Sequence, residues 1–80
     1  MIQIEERLQA LMRNVFDNDD VVIRRDLTAD DVEGWDSLAH VHLIVAAERE
    51  FSIRMTASEV HRLKTAGELI DLIQAKVKEK

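Results

Sequence analysis

The sequence predicts an all-α fold, a four-helix bundle with a long loop after helix 1 and a short helix 3. Three observations predict it. Apolar residues recur at helical spacing in three separate stretches, and two Thr-x-x-Glu capping boxes mark helix starts. No stretch alternates apolar and polar residues for long enough to compete as a strand, and there is no proline, internal repeat or low-complexity segment.

The first helix is expected from Ile4, because Ile4, Leu8, Leu11, Met12, Val15 and Phe16 share one face, with Glu5, Glu6, Arg7 and Arg13 between them. Residues 17–36 hold eight acidic residues and only Arg24 and Arg25 as basic ones. They read as a long acidic loop, broken by Val21, Val22, Ile23, Leu27 and Val32 and holding a few core anchors, and a loop of that length is usually functional or pinned by its own apolar side chains. Gly34-Trp35-Asp36-Ser37-Leu38 opens the second helix, expected to reach about Glu50, with Asp36 as N-cap and Ser37 at the first helical position. Thr56 and Glu59 form the capping box of the short third helix, and Met55 can staple onto Val60. Thr65 and Glu68 repeat the box before Leu69, Leu72, Ile73 and Val77, a stripe that runs into a lysine-rich end suited to the helix dipole. Trp35 is expected to clamp the loop against the second helix, while Phe51 and Ile53 close the core.

At 80 residues, the chain is expected to be one domain spanning 1–80, large enough for a modest core but small for a deep enclosed active site. Net charge −5 repels a phosphate backbone, which argues against nucleic acid and for transient docking to basic protein surfaces. With no cysteine, disulfides, thiolate metal sites and cysteine nucleophiles are excluded, so any reactive thiol must be brought in. No apolar run approaches membrane-spanning length and no targeting segment is evident, so the expected location is cytoplasmic.

The second helix carries two apolar faces. At about 100° per residue, Leu43, Ile44, Ala47 and Phe51 gather on a core-facing side. Leu38, Val41 and Val45 gather elsewhere, within about 60° of one another and next to Ser37, as a stripe for the loop to bury or for another protein to meet. A serine at a helix start suits phosphate, because unpaired N–H groups and the positive dipole end stabilise a phosphodiester there. Gly34 either allows a positive φ or leaves room for a modifying enzyme.

These residues resemble a known attachment site. Gly34-Trp35-Asp36-Ser37-Leu38 looks like the Asp-Ser-Leu motif of acyl carrier proteins, at the start of their second helix, and the resemblance extends to length, helix order, the long loop and the acidic balance. It implies a carrier with the acyl-carrier bundle rather than an enzyme, with no catalytic residue and no metal site of its own. By that resemblance, a phosphopantetheinyl transferase using coenzyme A and a magnesium ion would attach 4′-phosphopantetheine covalently to Ser37, with Asp36 and Leu38 completing the motif. Acyl intermediates would then travel as thioesters, sheltered by the bundle. Leu38, Val41 and Val45 match the family's docking positions for the transferase, for an acyl-loading ligase or synthase and for acyl-processing enzymes, with the carrier itself a monomer. Carriers of housekeeping fatty-acid synthesis usually have acidic residues just after the serine. Here stand Ala39, His40 and His42, which points to a specialised fatty-acid, polyketide or natural-product pathway.

Other readings are open at this point. A peptidyl or aminoacyl carrier would use the same arm, and an unmodified helical adaptor would bind a partner through the second helix alone. Ser37 and His40, three apart, suggest a nucleophile and base, but no strand-turn-helix elbow, orienting third group or oxyanion hole accompanies them. His40 and His42 point about 200° apart and cannot share a metal, and His61 has no partner at ligand spacing. Asp17, Asp19 and Asp20 begin like a calcium loop, yet its sixth position is Val22 and its twelfth Thr28, leaving a solvated acidic loop with weak divalent-ion binding at most.

Overall fold

A computed structural model describes residues 3–79; Met1, Ile2 and Lys80, the outermost residues of the N-terminal segment and the lysine-rich end, lie outside. Four α-helices follow one another: α1 (Gln3–Val15), α2 (Ser37–Phe51), α3 (Ala57–Arg62) and α4 (Ala66–Glu79). The all-α prediction and the short third helix are as read from the sequence. One element is additional, a one-turn 3-10 helix at Ala29–Asp31 within the long loop. The Asp31 carboxylate closes that turn by accepting from the Thr28 backbone N–H at 3.0 Å and the Thr28 hydroxyl at 3.1 Å.

Helix α1 packs against α2 and α4, and its buried Leu8 and Met12, with Phe16 just past its end, meet Leu43, Ala47 and Phe51 of α2 and Leu69 and Ile73 of α4 in one core. At the far end of α2, Arg7 donates to the Glu50 side chain and to the Glu50 carbonyl, each at 2.7 Å, and its guanidinium lies 4.6 Å from the Phe51 ring centroid. Both predicted capping boxes form. Thr56 and Glu59 exchange bonds of 2.8 and 3.2 Å, and Thr65 and Glu68 bonds of 3.0 and 3.2 Å. Glu59 also meets Lys76 at 2.9 Å, tying α3 to α4; its carboxyl is held below the ordinary value by the Thr56 N–H and then by Lys76.

The long loop is fastened on both sides. Towards α1, Arg13 donates to the Val21 carbonyl and the Ile23 N–H donates to Gln9 Oε1, both at 2.8 Å. Towards α4, the Leu27 carbonyl accepts from Ala66 N–H and the Arg25 carbonyl from Gly67 N–H, again at 2.8 Å, and Arg25 pairs with Asp71 at 2.7 Å. A Cβ on Gly67 would fall 2.7 Å from the Arg25 carbonyl oxygen, so this seam needs glycine.

The structure decides which of the apolar positions in the loop and in α4 are buried. Val22 is exposed while Val21 and Leu27 are buried, because the loop fastens to α1 on either side of it and turns its side chain outward. The buried face of α4 is Ala66, Leu69, Ile70 and Ile73; Leu72 is half-buried and Val77 exposed, because the seam at Ala66 and Gly67 sets the helix's rotation against the loop.

Candidate functional site

The start of α2 gathers the predicted site residues. Asp36, in extended backbone at φ −103 and ψ −173, is the N-cap as expected, and its carboxylate accepts the Ala39 N–H at 2.8 Å. Ser37 is the first helical residue and is exposed, so its hydroxyl stands in solvent where the N–H ends and the positive dipole of α2 converge. Leu38, Val41 and Val45 are 66%, 54% and 43% exposed. The long loop therefore does not bury the second apolar stripe. Leu43, Ile44, Ala47 and Phe51 form the buried face as read from the sequence.

The loop reaches Ser37 through Gly34 and Trp35. Gly34 has φ 95, and a Cβ there would meet the Phe16 carbonyl oxygen at 2.8 Å. Of its two possible uses, the backbone requirement explains it fully: a left-handed turn pressed against the end of α1. Trp35 is buried, stacked on Phe16 with centroids 5.3 Å apart and on His40 with centroids 6.1 Å apart. Its indole N–H donates to His40 Nδ1 at 3.1 Å. The expected clamp is present, and it closes onto α2 through a side chain whose acceptor role the sequence did not announce.

That bond fixes the chemistry of His40. A neutral imidazole has one acceptor nitrogen. His40 spends it on Trp35, so its other nitrogen carries the proton and the ring has no lone pair left to activate Ser37. The Ser37–His40 hydrolase reading fails on this geometry. Burial holds the His40 pKa below 6.5, the ordinary value, with the Val60 backbone pulling the other way. His42 and His61 are exposed. In the acidic stretch, Asn18 Oδ1 accepts the Asp20 N–H at 3.0 Å, and among the described residues no three metal-ligating side chains cluster.

Beside Ser37 opens a cleft of about 260 Å³, walled by Trp35, Ser37 and His40 on one side and by Ala29, Leu63 and Lys64 on the other. Sequence reasoning missed the second wall. Ala29 precedes Ser37 by eight positions and Lys64 follows it by 27, so only tertiary packing brings them to the serine.

Residues 6–73 match the family described as phosphopantetheine attachment site, and over 76 residues the chain is 37% identical to the acyl carrier protein of Buchnera aphidicola subsp. Acyrthosiphon pisum (strain Tuc7), covering 95% of each. The chain belongs to the acyl carrier protein family. An acyl carrier protein of Thermosynechococcus vestitus is 33% identical, with 94% of this chain and 93% of that protein covered. The solution structure of holo acyl carrier protein from Geobacter metallireducens superposes with a TM-score of 0.89 at 37% identity, covering 99% of this chain and 90% of that one. Acyl carrier proteins are carriers rather than enzymes, act through a covalently attached 4′-phosphopantetheine, are activated by a phosphopantetheinyl transferase and serve synthases and processing enzymes. The residues here fit such a group: a free-standing hydroxyl at a helix start, with a cleft beside it. No helix among the described residues is long and apolar enough to cross a membrane.

Proposed function

We propose that Ser37 is the attachment point and that residues 1–80 form one cytoplasmic, monomeric carrier domain for a specialised fatty-acid, polyketide or natural-product pathway. The observation that carries the attachment reading is the exposed Ser37 at the first position of α2, capped by Asp36 and followed by Leu38, within the matched residues. In the modification, the Ser37 oxygen would bond to the pantetheine phosphorus of coenzyme A, adenosine 3′,5′-bisphosphate would leave, and the hydroxyl proton would pass to a base of the transferase. His40 cannot be that base. The arm supplies the thiol that this cysteine-free chain lacks.

Leu38, Val41 and Val45 form the docking stripe in this reading, and the charge along it supports a specialised partner. On the outward side of α2 stand His42 and Arg49, both exposed. The two carboxylates of the last turns are engaged elsewhere, Glu48 by the Met55 N–H at 2.8 Å and Glu50 by Arg7 at 2.7 Å. A basic housekeeping enzyme would therefore find less negative charge than the net −5 suggests.

The test is intact mass after incubation with a broad-specificity phosphopantetheinyl transferase, coenzyme A and magnesium. A gain of one phosphopantetheinyl group in the unaltered chain and none in Ser37→Ala is expected. No gain in a folded sample would overturn the assignment and leave an unmodified partner-binding role for α2. For the pathway, the loaded chain should be a poor substrate for housekeeping elongation enzymes, and efficient elongation would remove the specialised reading.

A further inference from the structure

We propose that His40 is a positioning residue for Ser37 and acts as a proton-gated latch: neutral, it accepts the Trp35 indole N–H and holds the loop against α2; protonated, it releases Trp35. The inference rests on the assignment of Ser37, which it deepens by adding a control on the site.

The geometry carries it. Trp35 is wedged between Phe16 at the end of α1 and His40 in the first turns of α2, at 5.3 and 6.1 Å between centroids. It immediately precedes the N-cap Asp36, and Ser37 is the next residue. Release of the indole would therefore act one residue from the cap and two from the serine. The backbone N–H of Trp35 donates to the Val32 carbonyl at 3.3 Å within the loop, whereas its indole N–H is tied across to α2 by the 3.1 Å bond into His40 Nδ1. Protonation converts that nitrogen from acceptor to donor, so two N–H groups would face each other in a half-buried position. The charged groups around the ring are few and of both signs. Asp36 at the head of α2 and Lys64 from the α3–α4 link share the cleft with it, while α3 contributes the Val60 backbone.

Trp35 is the only tryptophan, so emission reports on the surroundings of this one residue. The unaltered chain, labelled with nitrogen-15, is titrated from about pH 8 to about pH 5, the span in which histidine changes charge. Emission, the indole N–H resonance and the His40 ring resonances are expected to change with one shared midpoint below the ordinary histidine value. In His40→Gln, whose carboxamide oxygen can accept the indole N–H but does not titrate, the emission change should vanish; in His61→Gln it should persist. Titration of His40 without response from Trp35, or an emission change that survives in His40→Gln, would overturn the proposal.

The link to Ser37 is read as the rate of phosphopantetheinyl transfer to the unaltered chain divided by that to His40→Gln, which cancels the pH dependence of the transferase. The ratio should fall several-fold on crossing the midpoint; a flat ratio would overturn the positioning role. If neither chain accepts the arm at any pH, the assignment of Ser37 falls, while the emission titration still decides whether the latch exists.

Discussion

Asp36 illustrates how much one side chain does at this site. It satisfies the Ala39 N–H, places Ser37 at the first helical position and lines the cleft. Asp36→Ala should cost about 1 kcal/mol through the lost cap, whereas Asp36→Asn, which caps equally well, should stay within a few tenths; urea denaturation of both variants separates capping from charge. His40 acts on stability through its proton. Because burial puts its folded pKa below 6.5, the unfolded chain binds the proton more readily. Stability is therefore expected to fall as pH drops below about 6.5 and to stop responding to this group once pH lies under the folded value. Comparing the pH dependence of unfolding in the unaltered chain and in His40→Gln isolates that slope.

At the scale of the element, α2 is decided at both ends and on both faces. Its C-terminal cap, Ser52, has left-handed backbone at φ 56 and ψ 49, a conformation that costs a residue with a Cβ about 1–2 kcal/mol. Glycine removes that cost but gains freedom in the unfolded chain, so Ser52→Gly should raise stability by about 0.5 kcal/mol; a lower melting temperature would show that the Ser52 side chain contributes more than its backbone strain removes. The inward face of α2 belongs to the core, which leaves Leu38, Val41 and Val45 exposed. The loop that could have covered them is committed instead to α1 and α4 through backbone carbonyls and side-chain amides.

For the whole molecule, one core is shared by α1, the loop, α2 and α4, so a defect in any one layer is felt by the rest. Leu43 is fully buried at its centre. Leu43→Ala should cost about 2–5 kcal/mol, a large part of the roughly 5–15 kcal/mol that holds a domain together. The denaturation midpoint should therefore drop sharply, and Trp35 emission should follow the same curve as helix loss if the core unfolds as a unit. A smaller cost would mean that the neighbours collapse into the space.

The fold class, the helix starts and Ser37 as candidate were legible in the order of residues, because these rest on local physics. Asp36 and the Thr-x-x-Glu boxes announce helix starts through groups three or four residues away, and the two faces of α2 follow from its pitch alone. What lay beyond reach was set by contacts distant in the chain. The outward turn of Val22, the choice of Ile70 over Val77, the second wall of the cleft and the use of His40 as acceptor for Trp35 all depend on where the loop comes to rest. Only tertiary structure decides that, because an irregular backbone has no repeat from which to read its facing and takes its path from the partners its polar groups find.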